Sequence, residues 1–223
     1  MCGRFAMTLP DDAMARAFQA QPANDLPPVP RFNICPTQPV ATVISRCGVR
    51  FLGPMRWGFL PHWYQSETDG PLLINARAET IATKPAFADA ARKRRCLIPA
   101  SGFYEWTKDE AGARLPWYIR PVHGQILAFA GIWQVWERDD TRHAACAIVT
   151  CGANTKMAHF HHRMPVILSQ ADWPLWLGEA GHGASQLMKA APTDALEYFR
   201  VSSRVNSNRT EGPELIEPLS PMG

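Results

Sequence analysis

Between residues 41 and 153 the chain carries six short runs rich in β-branched or aromatic residues: 41–45, 50–59, 95–106, 116–120, 126–136 and 144–153. Glycine and proline cut them into strand-length pieces. Strands that follow one another with only occasional helices pack as antiparallel sheet, whereas a parallel sheet needs a crossover between each pair. The predicted fold is therefore α+β, with a largely antiparallel, barrel-like β core flanked by helices. A first helix is expected over 11–20, where Met14, Ala17 and Phe18 line up behind Asp11 and Asp12. Further helices are expected over 79–92, 169–178 and 184–191, the second opened by Asp172-Trp173-Pro174. The proline-thick stretch 21–39 reads as ordered loop over the core, and 196–206 as a strand that passes into loop. There is no internal repeat.

With 223 residues, 46% of them apolar, the chain can bury one substantial core, so a single domain over 1–223 is expected. A net charge of +3 permits a polyanionic partner without demanding one. Cysteines at 2, 35, 47, 96, 146 and 151 form no CxxC pair and fit no common zinc or disulfide framework, which favours a reducing compartment. No secretory leader or membrane-length apolar run is present, so the expected location is cytoplasmic, nucleoid-associated when acting on DNA. Glycine-rich phosphate loops are missing too, and no nucleotide cofactor is expected.

The chain begins Met1-Cys2-Gly3-Arg4. Removal of Met1, which a small second residue permits, leaves a primary amine and a thiol on one residue. An aldehyde meeting that pair forms an imine with the amine, and the thiol then closes a five-membered thiazolidine in an intramolecular step. An α-amine of pKa about 7.7 to 8.0 is roughly one-quarter unprotonated near pH 7.4, so no special activation is needed. The bland alternative is an idle, buried second-position cysteine.

Five blocks bear on that choice: MCGR at 1–4, WGFLPHW at 57–63, INARAET at 74–80, SGFYEW at 101–106 and HHRMP at 161–165. In order and in register, they resemble the motifs of the SRAP (SOS response-associated peptidase) family, which includes bacterial abasic-site processing proteins and a eukaryotic sensor of abasic sites in single-stranded DNA. The likeness continues to VSSRVNSN and PELIEP near the C-terminus. It implies covalent capture of the ring-opened abasic aldehyde by Cys2, shielding the lesion during repair, with DNA lyase activity through the Schiff base as a related outcome. It also leaves open an N-terminal-cysteine peptidase that cleaves its own leader. A third alternative is a non-covalent single-strand binding module.

The resemblance implies catalytic roles for Cys2, Asn75, Glu105 and His161. Asn75 would orient the reactive terminus, its amide able to donate and accept without fixing the amine as ammonium; the alternative is a turn asparagine. Glu105 would shuttle protons if burial raises its pKa, although on a strand its neighbours Tyr104 and Trp106 would face away from it. His161 would open the sugar ring by taking the hydroxyl proton and then stabilise the departing oxygen. Arg4, Arg77 and Arg163 would hold phosphates with Gly3 beside them, each arginine alternatively pairing a carboxylate. Asn33 and Pro36 are further DNA-binding candidates, with Trp63 as a stacking platform. Trp57 reads as core. His159 and His162 crowd His161, but no acid or cysteine accompanies them at matching spacing, so no metal is expected. The basic run Arg92–Arg95 reads equally well as a solvated helix end. The expected partner is single-stranded DNA with abasic sites, met by a monomer without membrane contact.

Overall fold

The computed structural model describes residues 2–124 and 126–219. Among the described residues thirteen strands run in chain order: β1 (Phe5–Met7), β2 (Ala20–Pro22), β3 (Arg31–Ile34), β4 (Pro39–Arg46), β5 (Val49–Trp57), β6 (Asn75–Arg77), β7 (Arg95–Ala100), β8 (Gly102–Lys108), β9 (Arg114–Pro121), β10 (Leu127–Arg138), β11 (Thr141–Gly152), β12 (Arg163–Pro165) and β13 (Leu196–Arg200). The helices are α1 (Asp11–Phe18), α2 (Ala88–Lys93) and α3 (Trp173–Leu177).

Five strands close a barrel. Antiparallel pairs join β5 to β4, β4 to β7, β7 to β10 and β10 to β11, and a short parallel pairing of Ala145 and Cys146 with Arg56 and Trp57 completes the ring. The barrel-like expectation holds. Its wall is buried on both faces, with Val43, Leu97 and Ile132 fully buried on one and Phe129 on the other. Gly131 is required there, because a Cβ would stand 2.7 Å from Cys96 Sγ.

A second, five-stranded sheet in the order β13, β9, β8, β1, β3 lies against the barrel. Aromatic edges join the two layers: Phe5 meets Trp57 at 5.1 Å and Phe129 at 6.0 Å, and Phe103 meets Phe129 at 5.9 Å. Trp57 is core as expected, and its Nε1 donates to the Ile74 carbonyl at 3.1 Å. On the barrel's other flank Phe18 of α1 stacks on Trp173 of α3 at 4.4 Å.

Several boundaries differ from the sequence reading. The stretch 21–39 contains β3, which pairs with β1, because alternation over only four residues leaves too little periodicity to read beside so much proline. The run 95–106 is two strands in different sheets, broken at Ser101, whose hydroxyl oxygen accepts from the Thr8 N–H at 2.9 Å. Gly102 opens the second of them where a Cβ would stand 2.4 Å from Tyr118 Cζ. Of 79–92 only the end is helix; Pro85 lacks an N–H, and the segment before α2 folds as turns that include Thr83 donating back to Thr80. Of 184–191 only Ala184–Leu187 coils, as a 3-10 turn between Gly183 and Pro192. No helix among the described residues is long and apolar enough to cross a membrane.

Candidate active site

The site forms where the small sheet meets the barrel. β1 runs antiparallel to β8 with Phe5 opposite Phe103 and Ala6 opposite Gly102, and the Tyr104 N–H donates to the Arg4 carbonyl at 2.9 Å. That register, continued, sets Gly3 across from Glu105. From the barrel side β11 carries β6 and β12 on its flanks: Asn75 lies opposite Ile148, Arg77 opposite Thr150, and Arg163 opposite Gly152. Four separate chain segments thus bring Cys2, Asn75, Glu105 and His161 to one place.

A cleft of about 350 Å³ opens there, lined by Gly3, Arg4, Glu105, Trp106, Thr107, Lys108, Arg114 and His161. Cys2, next in the chain to Gly3, is fully buried. Asn75 Nδ2 donates to the Cys2 carbonyl at 3.0 Å, tying β6 to the N-terminal segment. Burial pushes the Cys2 thiol well above its ordinary pKa, and the neighbouring Glu105 charge pushes the same way. The sulfur is therefore held as a thiol.

Glu105 is 4% exposed, and burial raises its pKa above the usual glutamate range. Strand alternation turns Tyr104 and Trp106 to the other face, where Tyr104 packs with Ala6, Tyr118 and Val201. The apolar setting comes instead from the core side. His161 has a pKa lowered first by burial, then by neighbouring positive charge. The Arg163 N–H, which can only donate, reaches His161 Nδ1 at 2.9 Å. In the neutral ring the proton accordingly sits on Nε2.

Arg4 Nη1 donates to Asn33 Oδ1 at 2.7 Å and to the Val205 carbonyl at 2.9 Å, and its guanidinium lies 5.8 Å from the Trp106 ring centre. Asn33 is 1% exposed, and its Nδ2 donates to the carbonyls of Ser207 and Thr210, so it braces Arg4 and does not open into the cleft. Pro36 is half-buried in the turn after β3. Arg163 is 9% exposed and grips Glu79 through both terminal nitrogens at 2.8 and 2.9 Å, with the Thr150 carbonyl at 2.7 Å. Its carboxylate pairing binds β12 to the segment before α2, next to His161. Arg77 is exposed at the end of β6. Trp63, 42% exposed, stands on the 58–72 loop, which Trp136 Nε1 anchors by donating to the Tyr64 carbonyl at 3.0 Å.

Trp106, Thr107, Lys108 and Arg114 also line the cleft and were not singled out from the sequence. The turn signal Asp109-Glu110-Ala111-Gly112 could have set the hairpin register that brings Lys108 opposite Arg114. A larger cavity, about 780 Å³ between α1, Trp173 and Leu196, shares no lining residue with this group. Among the described residues no group of three histidine, cysteine or acidic side chains converges as a metal ion would need.

A family model described as SOS response associated peptidase (SRAP) matches residues 1–208. The abasic site processing protein YoqW of Bacillus subtilis (strain 168) is 35% identical over 224 residues, which cover 97% of this chain and 99% of that protein. The abasic site processing protein YedK of Escherichia coli (strain K12) is 31% identical over 228 residues, covering 98% and 100%. A solved structure of a protein from Bacteroides thetaiotaomicron superposes with a TM-score of 0.86 at 24% identity, covering 98% of this chain and 100% of the other, and so shares the fold. With a family match over most of its length and a relative this similar end to end, the chain belongs to the SOS response associated peptidase (SRAP) family.

Proposed function

We propose that this protein processes abasic sites in DNA by capturing the ring-opened sugar covalently on Cys2, acting on single strands as a monomer. The observation that carries the reading is the convergence of Asn75, Glu105 and His161 on the second residue of the chain, at a cleft edged by arginine and tryptophan. The names of the similar proteins YoqW and YedK support the target.

The chemistry starts once Met1 is removed and residue 2 carries its own amine. As the sugar opens, Glu105 takes the anomeric hydroxyl proton and passes it to the departing ring oxygen, to which His161 offers Nε2–H as a hydrogen-bond donor. The free aldehyde carbon accepts the Cys2 nitrogen, and Glu105 carries the protons that nitrogen loses to the carbinolamine oxygen, which leaves as water. The thiol then adds across the C=N bond: sulfur bonds to carbon, and its proton goes to nitrogen. A buried site suits this sequence, since each proton taken is handed on and the product carries no new charge. Before closure, loss of a proton from the carbon next to the imine with departure of the neighbouring phosphate, followed by hydrolysis of the imine, would give the lyase outcome.

The decisive test mixes mature protein with a single strand bearing one abasic site and resolves the products on a denaturing gel. A retained protein–DNA band, heat-stable in wild type and reduced to a hydride-trappable imine in Cys2→Ser, is expected; a strand left free in every lane refutes capture. The family description also names a peptidase. Cleavage of a peptide substrate by the intact protein, abolished in Cys2→Ser, would promote that second reading.

A further inference from the structure

The β8–β9 hairpin sets two cations directly against each other. Lys108 and Arg114 are register partners on adjacent antiparallel strands, so their side chains leave the same face of the sheet, at the mouth of the cleft. Like charges in that relation repel and cost stability. Neither forms an ion pair among the described residues. The nearest acid in sequence, Asp109, is turned into its own turn, where Oδ1 accepts from the Ala113 N–H at 2.8 Å. Glu105, the acid within the cleft, is buried.

Trp106 orders what surrounds these charges. Its ring lies 5.0 Å from the Arg114 guanidinium carbon and 5.8 Å from that of Arg4, and its Nε1 donates to Asn206 Oδ1 at 2.6 Å. Tryptophan faces hold guanidinium groups by attraction between the charge and the ring quadrupole. Two arginines are thus fixed about one indole, with Lys108 beside the outer one. The three positive side chains line the same cleft as Gly3 and Glu105.

We propose that Lys108 and Arg114 form a phosphodiester-binding subsite that holds the DNA backbone next to the reacting sugar, with Trp106 as the residue that positions Arg114. The repulsion between the two cations is relieved when a phosphate lies between them, and the forked guanidinium supplies paired donors to its oxygens. This assignment rests on the reading of the cleft as a DNA site, and it extends that site to two hairpin residues, Lys108 and Arg114, outside the five sequence blocks.

The test is the salt dependence of binding to an undamaged single strand, followed by fluorescence anisotropy from low to moderate salt. For single strands each phosphate neutralised contributes about 0.7 to the slope of log K against log salt, so Lys108→Gln with Arg114→Gln, which empties a site for one phosphate, should flatten the slope by about 0.7. The charge-keeping exchange, Lys108→Arg with Arg114→Lys, should restore it. Trp106→Leu, which keeps both cations but frees Arg114, should weaken binding while losing less slope than the double glutamine variant. An unchanged slope in the double glutamine variant, with wild type showing salt-dependent binding, overturns the subsite. Failure of wild type to crosslink an abasic strand would instead count against the capture chemistry, and the slope would still report on the hairpin.

Discussion

Replacing Asn75 by alanine removes the amide that donates to the Cys2 carbonyl at 3.0 Å. Asn75 Oδ1 is buried with no hydrogen-bond partner among the described residues, so the Cys2 contact is the one side-chain bond at stake. Cys2 is fully buried, and no solvent replaces the lost donor. An unsatisfied buried carbonyl costs about 1–3 kcal/mol. If that energy fixes the terminus in its reactive position, its loss slows capture by roughly 5- to 150-fold, at about 1.4 kcal/mol per factor of ten. The assay is a single-turnover time course of crosslinking with protein in excess, run beside thermal melting. Asn75→Asp should be at least as slow, because it keeps the shape but lacks the donor and adds a charge near the buried Glu105. A wild-type rate in Asn75→Ala would refute the positioning argument, whatever the melting temperature did.

The pH dependence follows from Glu105. Its folded pKa is raised, so the folded state binds the proton more tightly than the unfolded chain, and stability from this group is fullest at low pH and declines as pH rises through the raised value. Glu105→Gln should therefore gain melting temperature on wild type as pH rises above the ordinary glutamate range, and the crosslinking rate should lose its ionisation step. Glu79 runs the other way: Arg163 holds its pKa down, so its contribution is present above the ordinary glutamate range and is lost as pH falls through the depressed value. Because Glu79 is half-exposed and partly screened, Glu79→Gln should cost about 1–2 kcal/mol by denaturant titration, less than breaking a fully buried pair. Trp136→Phe removes the donor to the Tyr64 carbonyl and should speed proteolysis within 58–72 while sparing the barrel, read by mapping the first cleavage site.

The barrel was legible because its strands are long enough for alternation to show: β10 and β11 each run for twelve residues between clear breaks. Its closure was not, since the parallel contact of Arg56 and Trp57 with Ala145 and Cys146 joins residues almost ninety apart in sequence with no local signature. The candidate site divides in the same way. Cys2, Asn75, Glu105 and His161 could be named because each lies in a short block, but β6 and β12, which carry Asn75 and Arg163, are three residues long and show no period. Burial was also hidden: nothing in the sequence distinguishes Asn33, braced by three loop carbonyl and guanidinium contacts, from an exposed loop asparagine. The Asp109–Ala113 turn held the one unused clue, because its register fixes which cations face each other.

Everything in the proposed chemistry depends on the bonds made at residue 2. Mass spectrometry of the purified protein–DNA conjugate, followed by digestion to the N-terminal peptide, reads them directly. The account predicts a conjugate equal to the protein without Met1 plus the abasic strand minus one water, with the sugar carried on both nitrogen and sulfur of Cys2. A conjugate that keeps Met1, or a sugar found on a lysine while Cys2 stays alkylatable, would contradict it.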